Sequence, residues 1–474
     1  MAAAPFILAV DLGTQSLRLS AVAADGAKPW TWSRPVSTRT VGDISEQDPG
    51  VWDELLAEGM AEARRAGVSP VAVAAAGPLA GWVPHDAEGR ALGPALMYFD
   101  RRSTADLAAL EAVEAVEDAR TDGLRATIAD PVPHLLRLRR EEPAIYARTH
   151  RLLDATGHLV ARLTGGIAVL DAYTALRLPT PAAARTLDID AGRFGRPVRI
   201  GETVGTLASE FGASVPVVAA TFDSKCAYIA SGIATPGEAL DISGTVTSFG
   251  VISKSRLLDP AHRVYSVPLD GAWLARGSMG GTGSILEWAR GDLPFDEYER
   301  LAAGAGPGAK GVTFLPFHSG ARAPLWQPGA RGAFLGLSLD TDRAAMARAV
   351  FEGLALGLKH VVATVEECGA PVGELRLAGG LARSGLLARL KADILCRPVV
   401  RCADHELTTL GLAVIAHTAL GVFPTRVAAS RALVRLADRI DPGPDAPSYD
   451  SAYRRYVANV EALTPLFASH ATAS

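Results

Sequence analysis

Phe6-Ile-Leu-Ala-Val10, then Asp11-Leu-Gly13-Thr14-Gln15, then Ser16-Leu-Arg-Leu-Ser-Ala-Val22: these opening residues decide how the chain is read. The first run is continuously apolar, as in a strand buried on both faces. The second is turn chemistry. In the third, Leu17, Leu19 and Ala21 face one way and Arg18 and Ser20 the other, so the stretch predicts strand, tight turn, strand. The theme returns in the second half as Glu238-Ala-Leu-Asp241-Ile-Ser243-Gly244-Thr245-Val-Thr247, followed by an apolar run to Ile252. Both copies place an Asp on the strand and a Gly-Thr pair in the turn. Two such turns, one in each half, point to a duplicated two-domain architecture. Two unrelated hairpins are the plainer alternative.

Other segments follow from local pattern. Asp48-Pro49-Gly50 precedes a helix carrying Trp52, Leu55, Leu56 and Met60 at helical spacing and stopped by Gly67. Val71–Ala76 predicts a strand running into the turn Gly77-Pro78-Leu79-Ala80-Gly81. A short strand over Leu96–Phe99 ends in Asp100. Helical patterns dominate from about 103 to 163. Val217–Thr221 predicts a strand before Phe222-Asp223-Ser224. A long helix from about Asp342 to Glu367, a strand at Leu375–Leu377 and an apolar helix over Thr409–Leu420 follow.

Composition narrows the class. At 474 residues the chain exceeds the roughly 250–300 residues of a single core, so two domains are expected. With 49% hydrophobic residues, 21% charged residues and a net charge of −4, disorder is not expected. The balance gives no basic stripe for nucleic acid and no electrostatic attraction to an anionic membrane. Cys226, Cys368, Cys396 and Cys402 form no C-x-x-C pair, as in a reduced cytoplasmic protein. No basic segment precedes the first apolar run, so no signal peptide is expected. The P-loop, zincin and serine-hydrolase fingerprints are missing from the sequence, and no G-x-G-x-x-G follows the first strand as a dinucleotide site would require.

Four places carry chemistry. Asp11, Gly13, Thr14, Gln15 and Ser16 offer turn amides and hydroxyls for phosphate oxygens, with Asp11 placed to hold Mg2+ through water. Ser243, Gly244, Thr245 and Thr247 repeat that chemistry. Asp223 follows a strand and precedes a helix: it is either a base that accepts a proton from an attacking hydroxyl or an ordinary helix cap. Gly379-Gly380-Leu-Ala382-Arg-Ser384, between strand and helix, is either a seat for a flat ring or a plain connection.

Taken together, these residues resemble the FGGY carbohydrate kinases. Besides the turns, Glu46-Gln47-Asp48-Pro49 with Trp52, Met97-Tyr98-Phe-Asp100-Arg-Arg102, and Gly320-Ala-Arg322-Ala-Pro324-Leu-Trp326 match in order. Ala330-Arg331-Gly332-Ala-Phe-x-Gly336 and Arg348-Ala349-x-x-Glu352-Gly353 continue the match. The resemblance implies an α/β fold of two ribonuclease H-like (actin-like ATPase) domains around a central cleft. It implies an N-terminal domain over 1–235 with the sugar side and first phosphate loop, and a C-terminal domain over 236–474 with the second loop and adenosine site. The implied activity is transfer of the γ-phosphoryl group of ATP to a hydroxyl of a ketose or polyol, with Asp223 as base. The alternative is a catalytically silent nucleotide-binding regulator on the same fold.

The resemblance assigns ATP to Gly13, Thr14, Gln15, Ser16, Gly244, Thr245, Gly379, Gly380 and Ser384. It assigns substrate to Leu79, Ala80, Tyr98, Asp100, Asp223 and Ser224, and Mg2+ to Asp11 and Asp223. A homodimer is also implied. The sequence departs from the pattern at several points. Pro78-Leu79-Ala80 stands where xylulokinases have Gln-Met-His. His134 and Arg137 replace a Lys and a Trp, and Thr221 and Lys225 flank Asp223. The acceptor therefore does not transfer with the resemblance.

Overall fold

The computed structural model describes residues 5–117 and 126–470. The chain divides into two compact units, Met1–Gly232 with Leu407–Val434, and Ile233–Glu406 with Arg435–Ser474.

The first unit is built on a six-stranded sheet. Its strands are β1 (Phe6–Leu12), β2 (Ser16–Val22), β3 (Trp30–Pro35), β4 (Pro70–Ala76), β5 (Thr203–Thr206) and β6 (Pro216–Val218). The order is β5-β6-β4-β1-β2-β3. β1 lies parallel to β4 and β4 to β6, while β2 and β3 run antiparallel. The opening hairpin forms as the alternation requires, with Leu12 opposite Leu17 and Asp11 opposite Arg18. Leu8, Val10, Leu17 and Leu19 are buried with Trp52 and Leu56 from helix Pro49–Arg65, whose N-cap is Asp48. A second, five-stranded sheet of short strands carries Ile44–Gln47, Ala80–His85 and Ala95–Met97.

The second unit repeats the plan. Its strands are β7 (Ala239–Ser243), β8 (Thr247–Ser253), β9 (Tyr265–Leu269), β10 (Ala272–Met279), β11 (Leu375–Ala378), β12 (Val399–Cys402) and β13 (Leu436–Ile440). They lie in the order β9-β10-β8-β7-β11-β12-β13. Here β7, β11 and β12 are parallel and β8 and β10 antiparallel. The path β6-β4-β1-β2-β3 in one unit and β12-β11-β7-β8-β10 in the other thus share one pattern. The two Gly-Thr turns sit at the same place in it, between the first two strands. Helix Arg343–Glu367, capped by Asp342, forms much of the second core.

One boundary differs from the sequence reading, which assigned everything from 236 to 474 to the second domain. Leu407–Val434 belongs to the first unit. Helix Leu407–Ala419 is apolar on nearly every face, so it must be buried somewhere. It finds that burial against helix Asp223–Ala230: a Cβ at Gly411 would lie 2.1 Å from the Cys226 carbonyl oxygen, so only glycine permits this approach. His417 meets the Val22 carbonyl across 3.3 Å. Among the described residues no helix is long and apolar enough to cross a membrane.

Candidate active site

In the first unit, the turn after β1 is held from below. The Thr14 carbonyl accepts from Thr38 Oγ1 (2.9 Å) and from Gln47 Nε2 (3.0 Å). Gln47 is fixed in turn by Trp52, whose indole donates to Gln47 Oε1 at 2.9 Å. The Glu46-Gln47-Asp48-Pro49 stretch is thus a brace for the turn. Gly13 behaves differently from the reading that offered its amide to phosphate. That amide donates to the Ser16 carbonyl at 2.8 Å. Gly244 and Gly379 likewise donate inward, to Val246 and His405. Glycine serves these three turns by shaping them.

Asp11, 6% exposed, accepts from Arg18 Nη1 at 3.1 Å across the hairpin. Asp223 is the first residue of helix Asp223–Ala230, and Phe222 occupies the cap position. Its carboxylate accepts from the Ser224 amide at 2.5 Å, and its own amide donates to the Gly77 carbonyl at 2.9 Å. The Gly77 amide donates to Thr156 Oγ1 at 3.0 Å. The Gly77–Gly81 turn is therefore tied to Asp223. In it, half-buried Leu79 precedes buried Ala80, whose φ of 68° lies in the left-handed region, as does that of Gly81.

Asp11 and Asp223 both act on one buried group. Burial pushes the Cys226 thiol up, and the charges of Asp223, Asp11 and Asp171 push it further. Asp171 escaped the sequence reading, although it too is a strand-end carboxylate, in Val169–Asp171. It accepts from the amides of Tyr173 and Thr174 and from the hydroxyls of Thr174 and Thr221, which leaves it a structural role.

Asp100 sits apart from its assigned role. It is fully buried, and its oxygens accept from the Ser45 amide and from Arg102, which also bonds Glu46. It orients Arg102. Tyr98 is half-buried and stacks on Phe99 with ring centroids 4.1 Å apart.

In the second unit, the Gly244-Thr245 turn is clasped by the start of helix Thr282–Arg290, where the Gly283 amide donates to the carbonyls of Gly244 (2.9 Å) and Thr245 (3.2 Å). Gly379, at φ 83°, lies so close to Ser243 that a Cβ would come within 2.4 Å of the Ser243 carbonyl oxygen. This joins the Gly379-Gly380 stretch to the turn. Gly380 faces open space: a Cβ there would meet nothing within 4 Å. Ser384 is committed elsewhere: it caps helix Gly385–Leu395 through the Leu387 amide and donates to Glu299 Oε1 at 2.6 Å. Glu299, distant in sequence, could not be anticipated.

Asp11 and Asp223 supply hard oxygen donors. Among the described residues no group of three or more His, Cys, Asp or Glu could enclose a metal. One or two carboxylates plus water is the way Mg2+ is usually held beside phosphates, and this donor set fits it.

Known proteins agree with the architecture. Residues 240–420 match the C-terminal domain model of the FGGY family of carbohydrate kinases. A glycerol kinase from Aromatoleum aromaticum is 31% identical over 461 residues, covering 88% of this chain and 90% of that protein. A xylulose kinase structure from Rhodospirillum rubrum superposes with a TM-score of 0.86 at 26% identity, covering 98% of this chain and 99% of that one. One from Lactobacillus acidophilus reaches 0.90 at 19% identity, covering 99% and 100%, a likeness of fold. The chain is a carbohydrate kinase of the FGGY family, with the two-domain actin-like ATPase fold.

Proposed function

We propose that this kinase transfers the γ-phosphoryl group of ATP to a hydroxyl of a small polyol or ketose, with Asp223 as the general base. The observation that carries the reading is the bond from the Asp223 amide to the Gly77 carbonyl, which couples the carboxylate to the turn assigned to the acceptor. Asp223 would orient the acceptor hydroxyl and take its proton as the new P–O bond forms. Asp11 and Asp223 would hold Mg2+ through water, and the ion would neutralise charge on the phosphates. Gly13–Ser16 and Gly244–Thr245 would bind the phosphates, and Gly379-Gly380 the adenosine. Positioning and electrostatics supply most of the rate in such transfers.

Relatives named glycerol kinase and xylulose kinase support a polyol or ketose acceptor. The turn at Leu79-Ala80 offers no polar side chain to it, so hydrogen bonds to the acceptor would come from elsewhere in the unit. The test is ADP release with Mg-ATP across glycerol, tetritols, pentitols, ketopentoses and hexuloses, with Asp223→Asn alongside. One strong acceptor whose turnover the variant abolishes is the expected outcome. ATP turnover indifferent to every acceptor would overturn the reading.

A further inference from the structure

Beneath the Gly244-Thr245 turn lies a buried network that the catalytic assignment does not use. Lys391, on helix Gly385–Leu395 and 4% exposed, donates from Nζ to Asp241 Oδ2 and to Ser243 Oγ (3.0 Å). Ser243 Oγ donates to Asp241 Oδ1 at 2.8 Å. Ser243 Oγ also meets Thr247 Oγ1 at 3.0 Å, and Thr247 Oγ1 meets Thr282 Oγ1 at 2.9 Å. All five side chains are buried.

Each hydroxyl has a single proton, which fixes every direction in this network. Ser243 gives its proton to Asp241, so Thr247 must donate to Ser243. Thr247 then has none left, so Thr282 must donate to Thr247. Lys391 is donor-only and Asp241 receives, so the chain runs one way, from the start of helix Thr282–Arg290 to a carboxylate held by an ammonium. Ser243 and Thr247 are the two feet of the Gly244-Thr245 turn, and the residue after Thr282 clasps the turn's carbonyls. Lys391 thus sits at the root of the side-chain network beneath the turn. Its helix also begins just after the Gly379–Ser384 stretch.

We infer that Lys391, through Asp241 and Ser243, is a positioning residue that sets the second phosphate turn for the β- and γ-phosphates of the nucleotide. The inference rests on the reading of Gly244-Thr245 as a phosphate loop. Gly379 packs on the Ser243 backbone, which its strand pairing with Thr247 holds, so cutting the side-chain network loosens the turn more than the Gly379-Gly380 stretch and weakens binding of nucleotides in proportion to the phosphates they present there.

The experiment is calorimetric titration of the whole enzyme with Mg-ADP and with AMP, for wild type, Lys391→Met, Ser243→Ala and Thr245→Val. Ser243→Ala keeps the ion pair while cutting the relay, so it decides the matter if Lys391→Met does not fold. Lys391→Met and Ser243→Ala are expected to weaken ADP about tenfold, as loss of a supporting shell usually does, and to leave AMP within about twofold. Wild-type ADP affinity in both variants, with Thr245→Val impaired, would overturn the role of Lys391 alone. Equal losses for ADP and AMP would mark a general loosening and overturn it too. Unchanged ADP binding in Thr245→Val would remove the phosphate-loop reading and this inference with it.

Discussion

The backbone amide of Asp223 is hydrogen-bonded to the carbonyl of Gly77 at 2.9 Å. Asp223, the proposed base, and the Gly77–Gly81 turn are therefore one mechanical unit, and the carboxylate can be altered without disturbing it. Asp223→Asn keeps that amide and keeps an oxygen to accept from Ser224. It should fold as wild type and, without Mg2+, bind ADP unchanged. Turnover should fall by roughly 10²–10⁴, the usual contribution of a general base. A coupled ADP assay and a binding titration on the same preparation check both halves. Near-wild-type turnover would reject Asp223 as base.

Gly77 can be attacked from the other side. A Cβ added there would lie 2.6 Å from Ala155 Cβ and 3.0 Å from the Ala155 carbonyl carbon. Backbone cannot swing aside as a flexible side chain can, so Gly77→Ala must shift the start of helix Ala155–Thr164 or the turn itself. Overpacking of this kind costs about 1–3 kcal/mol. The variant should lose stability in urea and should also lose kcat, because the Asp223 amide is bonded to the residue that moves. A variant that is destabilised with unchanged kcat would show that the turn does not position the base.

Local pattern carried much of this architecture. The strand read as Ser16–Val22 forms over those residues, and Asp48 caps its helix through the Gly50 amide at 2.8 Å. Asp223 stood between base and cap in the sequence; in the structure Phe222 holds the cap position and Asp223 is the first residue of the helix, its carboxylate accepting from the Ser224 amide. Pairings across the chain were invisible. Lys391 and Asp241 are 150 residues apart, and nothing near either one specifies the other. The apolar all-round pattern of Leu407–Ala419 demanded burial but not the body that supplies it. Asp100 and Ser384 carry family positions, yet their side chains are absorbed by Arg102, two residues on, and by Glu299, which only the fold brings near.

Stability should have two pH limbs with separate origins. Burial depresses His134 from 6.5 to about 4, and burial followed by the charge of His158 does the same to His85. Both are neutral when folded, so the unfolded chain gains protons first on acidification. The stability they confer above pH 6.5 is lost as pH falls toward about 4. Asp154 is the reverse case. Burial first, and then Asp171, raises it from 3.8 to about 8. Its contribution is complete below about pH 3.8 and is lost as pH rises to about 8. His134→Gln should flatten the acid limb of Tm against pH. Asp154→Asn should flatten the alkaline limb while keeping the cap to Gly157, because Asn caps as well as Asp. An unchanged fall in Tm from pH 6 to 8.5 in Asp154→Asn would refute the assignment.

The Arg348-x-x-x-Glu352 pair continues the family match, yet its geometry is that of a folding element. Arg348 Nε donates to Glu352 Oε1 at 2.8 Å, and Arg348 Nη2 donates to the Tyr449 hydroxyl at 2.7 Å. Tyr449 donates back to Glu352 Oε1 at 3.0 Å, and the Gly308 amide reaches the same oxygen. Both charges are buried, so removing one strands the other. Breaking such a pair costs about 3–5 kcal/mol, whereas removing both partners is far milder. Glu352→Gln should therefore lower Tm steeply, and adding Arg348→Met should restore much of the loss. Because the triad pins helix Tyr449–His470 to the long helix Arg343–Glu367, kcat per folded molecule should hold near wild type in both variants. A double variant no more stable than Glu352→Gln would show that the cost lies in packing around Tyr449. A collapse of kcat in fully folded protein would move the pair from the frame of the molecule into its chemistry.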